Sequence, residues 1–253
     1  MNVLRSIVAA FVLFSTIPMP RIEWNSSTTR YMMAAFPLVG VVIGVLVLLW
    51  RAVCSALGFG SLLVGAGYAL IPIAVSGGIH MDGLADVVDA QSSHAEPARK
   101  REILKDPHVG AFAIIGVCCY LVAYVALASE VSGRLVGALV CVPVVSRCLS
   151  GFATVCFKTS SNTGMLASER GSADLGAVRT ALAVELAAVA VVLVVINPIV
   201  GVAVLTAAVG TLAYVRWLAQ SQYGGMSGDL AGYYLQLAEL CMLACIVFVG
   251  RLV

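Results

Sequence analysis

Eight apolar stretches, each separated from the next by a short polar segment, constrain this chain more than any other feature. They run over 3–17, 34–50, 62–76, 111–129, 135–155, 178–196, 199–214 and 235–250. Most approach the roughly 20 residues needed to cross a hydrocarbon core. Lipid offers no hydrogen bonds to open backbone, so spans must be helices or closed barrel strands, and runs of this length favour helix. The expected fold is all-α, a polytopic integral membrane bundle of roughly 6 to 8 membrane-embedded helices, with residues 1–253 as one membrane domain. Two stretches are short enough for half-helices or re-entrant segments. Gly40 and Gly44, four residues apart, would let one helix approach another closely.

Composition agrees: 61% of the residues are hydrophobic and only 11% charged, against roughly 25% charged in soluble domains. Arg5 ahead of the apolar run 6–17 has the look of a secretory leader. Pro18 and Pro20 stand where small residues should mark cleavage, so the segment is expected to stay in the mature protein. The eight cysteines are scattered through apolar segments, and only Cys118 and Cys119 are adjacent. That is no metal-ligand spacing, and small apolar packing is the expected role. A net charge of +2 without a concentrated basic face gives no sign of nucleic acid as a partner; the partner implied by composition is the lipid bilayer.

If the segments after the first alternate across the bilayer, connections 18–33, 77–110, 156–177 and 215–234 emerge on one side. They hold Arg21, Arg30, Arg99, Lys100, Arg101, Lys105, Lys158, Arg170 and Arg216, whereas the opposite connections contribute Arg51 and Arg134. The positive-inside rule puts the four longer loops in the cytoplasm. The N-terminus is outside if the first segment spans and inside if it is re-entrant or interfacial.

The same face collects the chemistry. In HMDGLADVVDA, residues 80–90, Asp82, Asp86 and Asp89 fall three, four and seven apart and share one stripe of a helix. Like charges on one face repel, and each loses hydration when the face turns inward. A divalent cation would remove both objections, and hard carboxylate oxygens without thiolate favour magnesium or manganese over zinc. Magnesium commonly bridges one or two carboxylates to substrate phosphates, which implies a phosphate-bearing substrate. The same spacing also occurs on ordinary solvated helix faces. In ARKREILKDPHVGAF, Lys105 and Asp106 are the candidates for a pyrophosphate-like group, while Arg99 to Arg101 read as a charge-biased cytoplasmic flank. In QYGGMSGDLAG, Gly224, Gly225 and Gly228 precede Asp229, a turn whose amides could approach an anion and whose aspartate could add a metal ligand. Loop flexibility explains those glycines equally well. His80 sits two residues from Asp82 on a different helical face; it, His94 and His108 read as polar loop residues. Arg147, inside an apolar run, must face the bundle interior or snorkel. It is a candidate for holding a substrate phosphate; Glu185, also inside an apolar run, has no assigned role.

Together these segments resemble the adenosylcobinamide-GDP ribazoletransferase family, also called cobalamin 5′-phosphate synthase. The resemblance rests on LFSTIPMP at 13–20, FPLVGVVIG at 36–44, GGIHMDGLADVVDA at 77–90, EILKDPHVGAF at 102–112 and GGMSGDLAG at 224–232. It covers essentially the whole chain. It implies a magnesium-dependent enzyme of the bacterial cytoplasmic membrane, with adenosylcobinamide-GDP and α-ribazole 5′-phosphate, or α-ribazole itself, as substrates. GMP leaves, and adenosylcobalamin 5′-phosphate or adenosylcobalamin forms. On this reading Asp82, Asp86 and Asp89 hold Mg²⁺ against the diphosphate, and Lys105 and Arg147 neutralise the remaining oxygens. An aspartate of the triad, Asp229 or His80 takes the proton of the attacking ribose hydroxyl, or the metal acidifies that hydroxyl without a dedicated base. Met226 and Ser227 stand where relatives often carry Ile and Thr, and Val87–Val88 where polar or small residues are common; neither departure removes a proposed ligand. A homo-oligomer is compatible with this reading. Two rivals remain. The CDP-alcohol phosphotransferases require an arginine after their first aspartate-glycine pair, where this chain has Leu84–Ala85–Asp86. An ion-coupled transporter would use Asp82, Asp86, Glu185 and Arg147 across the bilayer depth, and predicts an internal repeat that the sequence does not display.

Overall fold

The computed structural model describes residues 2–160, 171 and 173–253. Its helices are α1 (Asn2–Phe14), α2 (Ser26–Thr29), α3 (Met32–Leu57), α4 (Ser61–Ser76), α5 (Ile79–Ser92), α6 (Pro97–Ile103), α7 (Ala111–Ser129), α8 (Val136–Cys156), α9 (Leu175–Ile196), α10 (Pro198–Leu218) and α11 (Gly228–Gly250). Among the described residues, six helices are long and apolar enough to cross a membrane: α3, α7, α8, α9, α10 and α11. The protein is an all-α polytopic membrane bundle, and extended pairing among the described residues amounts to a bridge between Thr159 and Met226.

The first and seventh apolar stretches are the ones expected to fall short. The first does, as the 13-residue α1, whereas the seventh is extended by flanking residues into the 21-residue α10, long enough to cross. The other apolar helix that falls short is α4. At 1.5 Å per residue, the 16 residues of α4 reach roughly 24 Å, short of the roughly 30 Å of hydrocarbon. Instead of continuing, the chain bends by 99° into α5. Gly77 and Gly78 make this corner with φ of 65° and 82°, a backbone region that residues bearing a β-carbon enter reluctantly. With three aspartates in its 14 residues, α5 is far more polar than α4, and the bent pair has the form of a broken span or a re-entrant segment.

Helix α8 is the central post, 78% enclosed over its apolar window, whereas α7 and α9 are 22% and 17% enclosed and present their apolar faces outward. The closest partner of α8 is α3. At Gly40 and Gly44 a β-carbon would collide with the α8 backbone at Pro143 and Val140, so the glycine pair makes the close contact expected of it. Inside the bundle, Arg147 Nη1 donates to Glu239 Oε1 at 2.9 Å and to the Pro143 carbonyl oxygen at 3.0 Å. Ser146 Oγ donates to the same Glu239 oxygen at 2.7 Å. The pair locks α8 to α11. Glu185 Oε2 is buried on α9 without a hydrogen-bond partner among the described residues.

The four connections expected on one face are tied together there. Arg30 and Asp174 form an ion pair at 2.7 Å. The Met226 amide donates to the Lys158 carbonyl at 2.7 Å, and Arg101 Nη1 donates to the Gln222 carbonyl at 3.2 Å. At the other end of the bundle Arg251 pairs with Glu130. Arg170 lies outside the described residues.

Candidate active site

Helix α5 forms where the acid spacing requires it, so Asp82, Asp86 and Asp89 do share a stripe. Asp82 is exposed, and Asp86 and Asp89 are half-buried. Asp229 joins them. Sequence reading puts it in a loop, but α11 begins at Gly228, capped by Ser227 Oγ, which accepts from the Leu230 amide at 3.2 Å. Asp229 is therefore in the first turn of a helix that packs on α5. The crossing depends on missing side chains: a β-carbon on Gly83 would fall 2.6 Å from the Asp229 carbonyl oxygen, and one on Gly232 3.1 Å from the His80 carbonyl oxygen.

The result is a group of acids without a basic partner. Asp82, Asp86 and Asp89 make no side-chain hydrogen bond or ion pair with any described residue, and Asp229 accepts from Ser227 Oγ, at 3.4 Å, and from its own backbone amide. Burial first, then the charges of Asp82, Asp229 and Asp89, push the Asp86 carboxyl up to about 6. A carboxyl whose pKa is raised on folding holds its proton more tightly in the folded state, so its contribution to stability falls as pH rises from about 4 to about 6. In chelator, thermal midpoints measured across that window should fall with pH for the wild type, and D86N should flatten this fall. A profile unchanged by D86N would contradict the placement of Asp86 among these charges.

Hard carboxylate oxygens with no cationic partner among the described residues suit a divalent ion of the magnesium type. Among the described residues no three His, Cys, Asp or Glu side chains close around one point. The donor set thus fits an ion held by one or two carboxylates and completed by substrate oxygens, not a cage built by protein alone.

Asp106 and Asp89 line one recess of about 440 Å³ with Ser93, Ile103 and His108. Asp89 packs directly on the bare Cα of Gly110. Asp106 Oδ1 accepts from the His108 amide at 3.0 Å and meets His108 Nδ1 at 2.6 Å, and these bonds hold its carboxyl below the usual range. Lys105 follows α6 as an exposed side chain and forms no ion pair with the acids.

Three expectations change. His80 is no polar loop residue: it is 5% exposed, with ring centroids 6.4 Å from Phe14 and 5.8 Å from Phe36. Its Nε2 has no hydrogen-bond partner among the described residues. Burial, then the Arg147 charge, push its pKa down to about 3, so it is neutral, weakly basic and turned to the core. Arg147, whose side chain is 1% exposed, already has its charge met by Glu239, so its guanidinium is not directed to the acids. The glycine turn is no open phosphate cradle either. The amides of Gly224 and Gly225 both donate to the Ala219 carbonyl and the Met226 amide to Lys158, so those donors are consumed; Gly228 instead opens α11.

Sequence reading missed Lys100. Treated as part of a basic flank, it is 8% exposed, and its Nζ donates to Gln91 Oε1 at 3.1 Å and Gln222 Oε1 at 3.5 Å. Gln91 Nε2 in turn donates to the Tyr223 hydroxyl at 2.8 Å. This network fastens the end of α5 and helix α6 to the π-helical turn 219–223. Its only advance signal is a lysine three residues after the proline that starts a short helix.

A family model described as Cobalamin-5-phosphate synthase matches residues 6–247. The chain belongs to the cobalamin-5-phosphate synthase family. Similar curated proteins include the adenosylcobinamide-GDP ribazoletransferase of Lachnoclostridium phytofermentans, 39% identical over 242 residues, covering 95% of this chain and 92% of that one. Those of Geobacillus kaustophilus and Geobacillus thermodenitrificans are 35% and 33% identical, each covering 91% of this chain and 90% of its own. No solved structure matches. As a cobalamin-5-phosphate synthase family member the protein is a membrane transferase of cobalamin biosynthesis, and the acidic rim formed by α5 and α11 is its candidate centre.

Proposed function

We propose that this enzyme joins the cobinamide phosphate of adenosylcobinamide-GDP to α-ribazole 5′-phosphate or α-ribazole, with release of GMP, at the α5–α11 rim. The observation that carries this reading is the set of carboxylates of Asp82, Asp86, Asp89 and Asp229, without a cationic partner among the described residues and brought together on one face in a chain of this family. A ribose hydroxyl forms a new bond to the phosphorus attached to cobinamide, the bond from that phosphorus to the GMP oxygen breaks, and GMP leaves with the electron pair. Bound Mg²⁺ would neutralise the diphosphate and the charge developing on the leaving oxygen. Asp82 and Asp86 would hold it, with Asp89 and Asp229 at the edges of the same acidic field. One of these carboxylates accepts the hydroxyl proton; His80, turned to the core, does not. Lys105, exposed beside the recess of Asp89 and Asp106, is free to meet phosphate oxygens.

The basic residues on the four joined loops support a cytoplasmic-facing site in a bacterial inner membrane. Incubating the purified protein with adenosylcobinamide-GDP, α-ribazole phosphate and Mg²⁺ should yield GMP and cobalamin product in equal amounts. A folded sample that produces neither overturns the reading.

A further inference from the structure

A second recess, of about 410 Å³, lies at the opposite end of the acidic stripe from the one that holds Asp89 and Asp106. It is lined by Ile73, Gly77, Gly78, Ile79, Met81, Asp82, Ala85 and Val117. Its volume falls within the roughly 300–1,000 Å³ of small-molecule sites. The 99° corner between α4 and α5 creates it. Gly77 and Gly78 turn the chain without side chains, so the floor is bare, and α7 supplies Val117 as the facing wall. Asp82 is its only charged group; every other lining side chain is apolar or absent.

We infer that this recess seats the benzimidazole base of the ribazole nucleoside, with its ribose directed to Asp82; the inference rests on the reaction proposed above. The two nucleosides of that reaction differ in the chemistry of their bases. Guanine carries amide and amino groups around its edge, and each one buried without a partner costs about 1–3 kcal/mol. A benzimidazole is flat and has no exocyclic donor or acceptor, so an open apolar recess can cover one face of it without stranding a polar group. The other recess, with Asp89, Ser93, Asp106 and His108, has the polar lining this one lacks. The placement also sets the order of the reactants: a base held against Val117 and Ala85 brings its ribose hydroxyl to the end of the stripe where Asp82 stands. Ala85, Met81 and Val117 are then specificity-determining residues for the accepting nucleoside.

The test uses the full-length protein in detergent. Val117→Phe and Ala85→Phe fill the recess from its two walls. Each should raise the KM for α-ribazole at least tenfold and leave that for adenosylcobinamide-GDP within twofold. Each should also weaken α-ribazole binding by a similar factor, read from the base's own fluorescence without the second substrate. Unchanged α-ribazole affinity in both folded variants overturns the assignment, as does a rise confined to the KM of adenosylcobinamide-GDP. If the phenylalanine variants fail to fold, Met81→Ala decides: a several-fold weaker α-ribazole complex supports the seat, and an unaltered one refutes it. Binding and turnover separate the two readings. Wild-type protein that binds α-ribazole in a Val117-dependent way but releases no GMP would sink the reaction and keep the recess.

Discussion

D82N and D86N should each depress GMP release on the order of 10²–10³-fold, the loss typical when one electrostatic contact to a developing charge is removed, while thermal midpoints in chelator stay near or above the wild-type value. The asymmetry follows from the site. Asp82, Asp86, Asp89 and Asp229 repel one another with no cationic partner among the described residues, so deleting one charge relieves the fold even as it removes a proposed ligand. Added Mg²⁺ should stabilise the wild type more than either variant, since a ligand that binds only the folded state raises stability by mass action. Near-normal turnover in both variants would remove these carboxylates from the chemistry and redirect attention to the Asp89–Asp106 recess.

The other large effect is on stability. Arg147 and Glu239 are 1% and 2% exposed, so R147M alone or E239L alone strands a buried charge, and each should lower stability by about 3–5 kcal/mol. The double variant R147M/E239L removes both charges and should recover most of that loss. Thermal unfolding in one detergent compares all four proteins. Turnover of the double variant tells architecture from substrate binding: activity near wild type fits a purely architectural pair, and a folded but inactive double variant would return Arg147 to the substrate. A wild-type midpoint in R147M alone would contradict the enclosed ion pair.

What was legible in the sequence follows periodicity and length. Apolar runs gave the spans, three- and four-residue spacing gave the α5 stripe, and the basic bias grouped four loops that the structure ties together. What was not legible depends on partners distant along the chain. Glu239, which decides what Arg147 does, lies 92 residues away, and hydropathy has no way to link them. Helix α11 starts at Gly228, ahead of its apolar run; Gly232 looks like a loop glycine until α5 packs against it at His80. His80 shares α5 with the acids, and only the positions of Phe14 and Phe36 show which way it turns. In the 224–226 turn the glycines were visible, but the carbonyls of Ala219 and Lys158 that occupy its amides were not.

The abbreviated α4 also concerns the lipid. A segment about 6 Å shorter than the hydrocarbon it meets can be accommodated by local thinning of the bilayer or by snorkelling of flanking side chains. Thinning at this corner would bring headgroups and water toward Gly77 and Gly78. Reactants that are part grease and part diphosphate meet a boundary there that suits both halves, and acyl-chain length becomes a variable of the enzyme's own architecture.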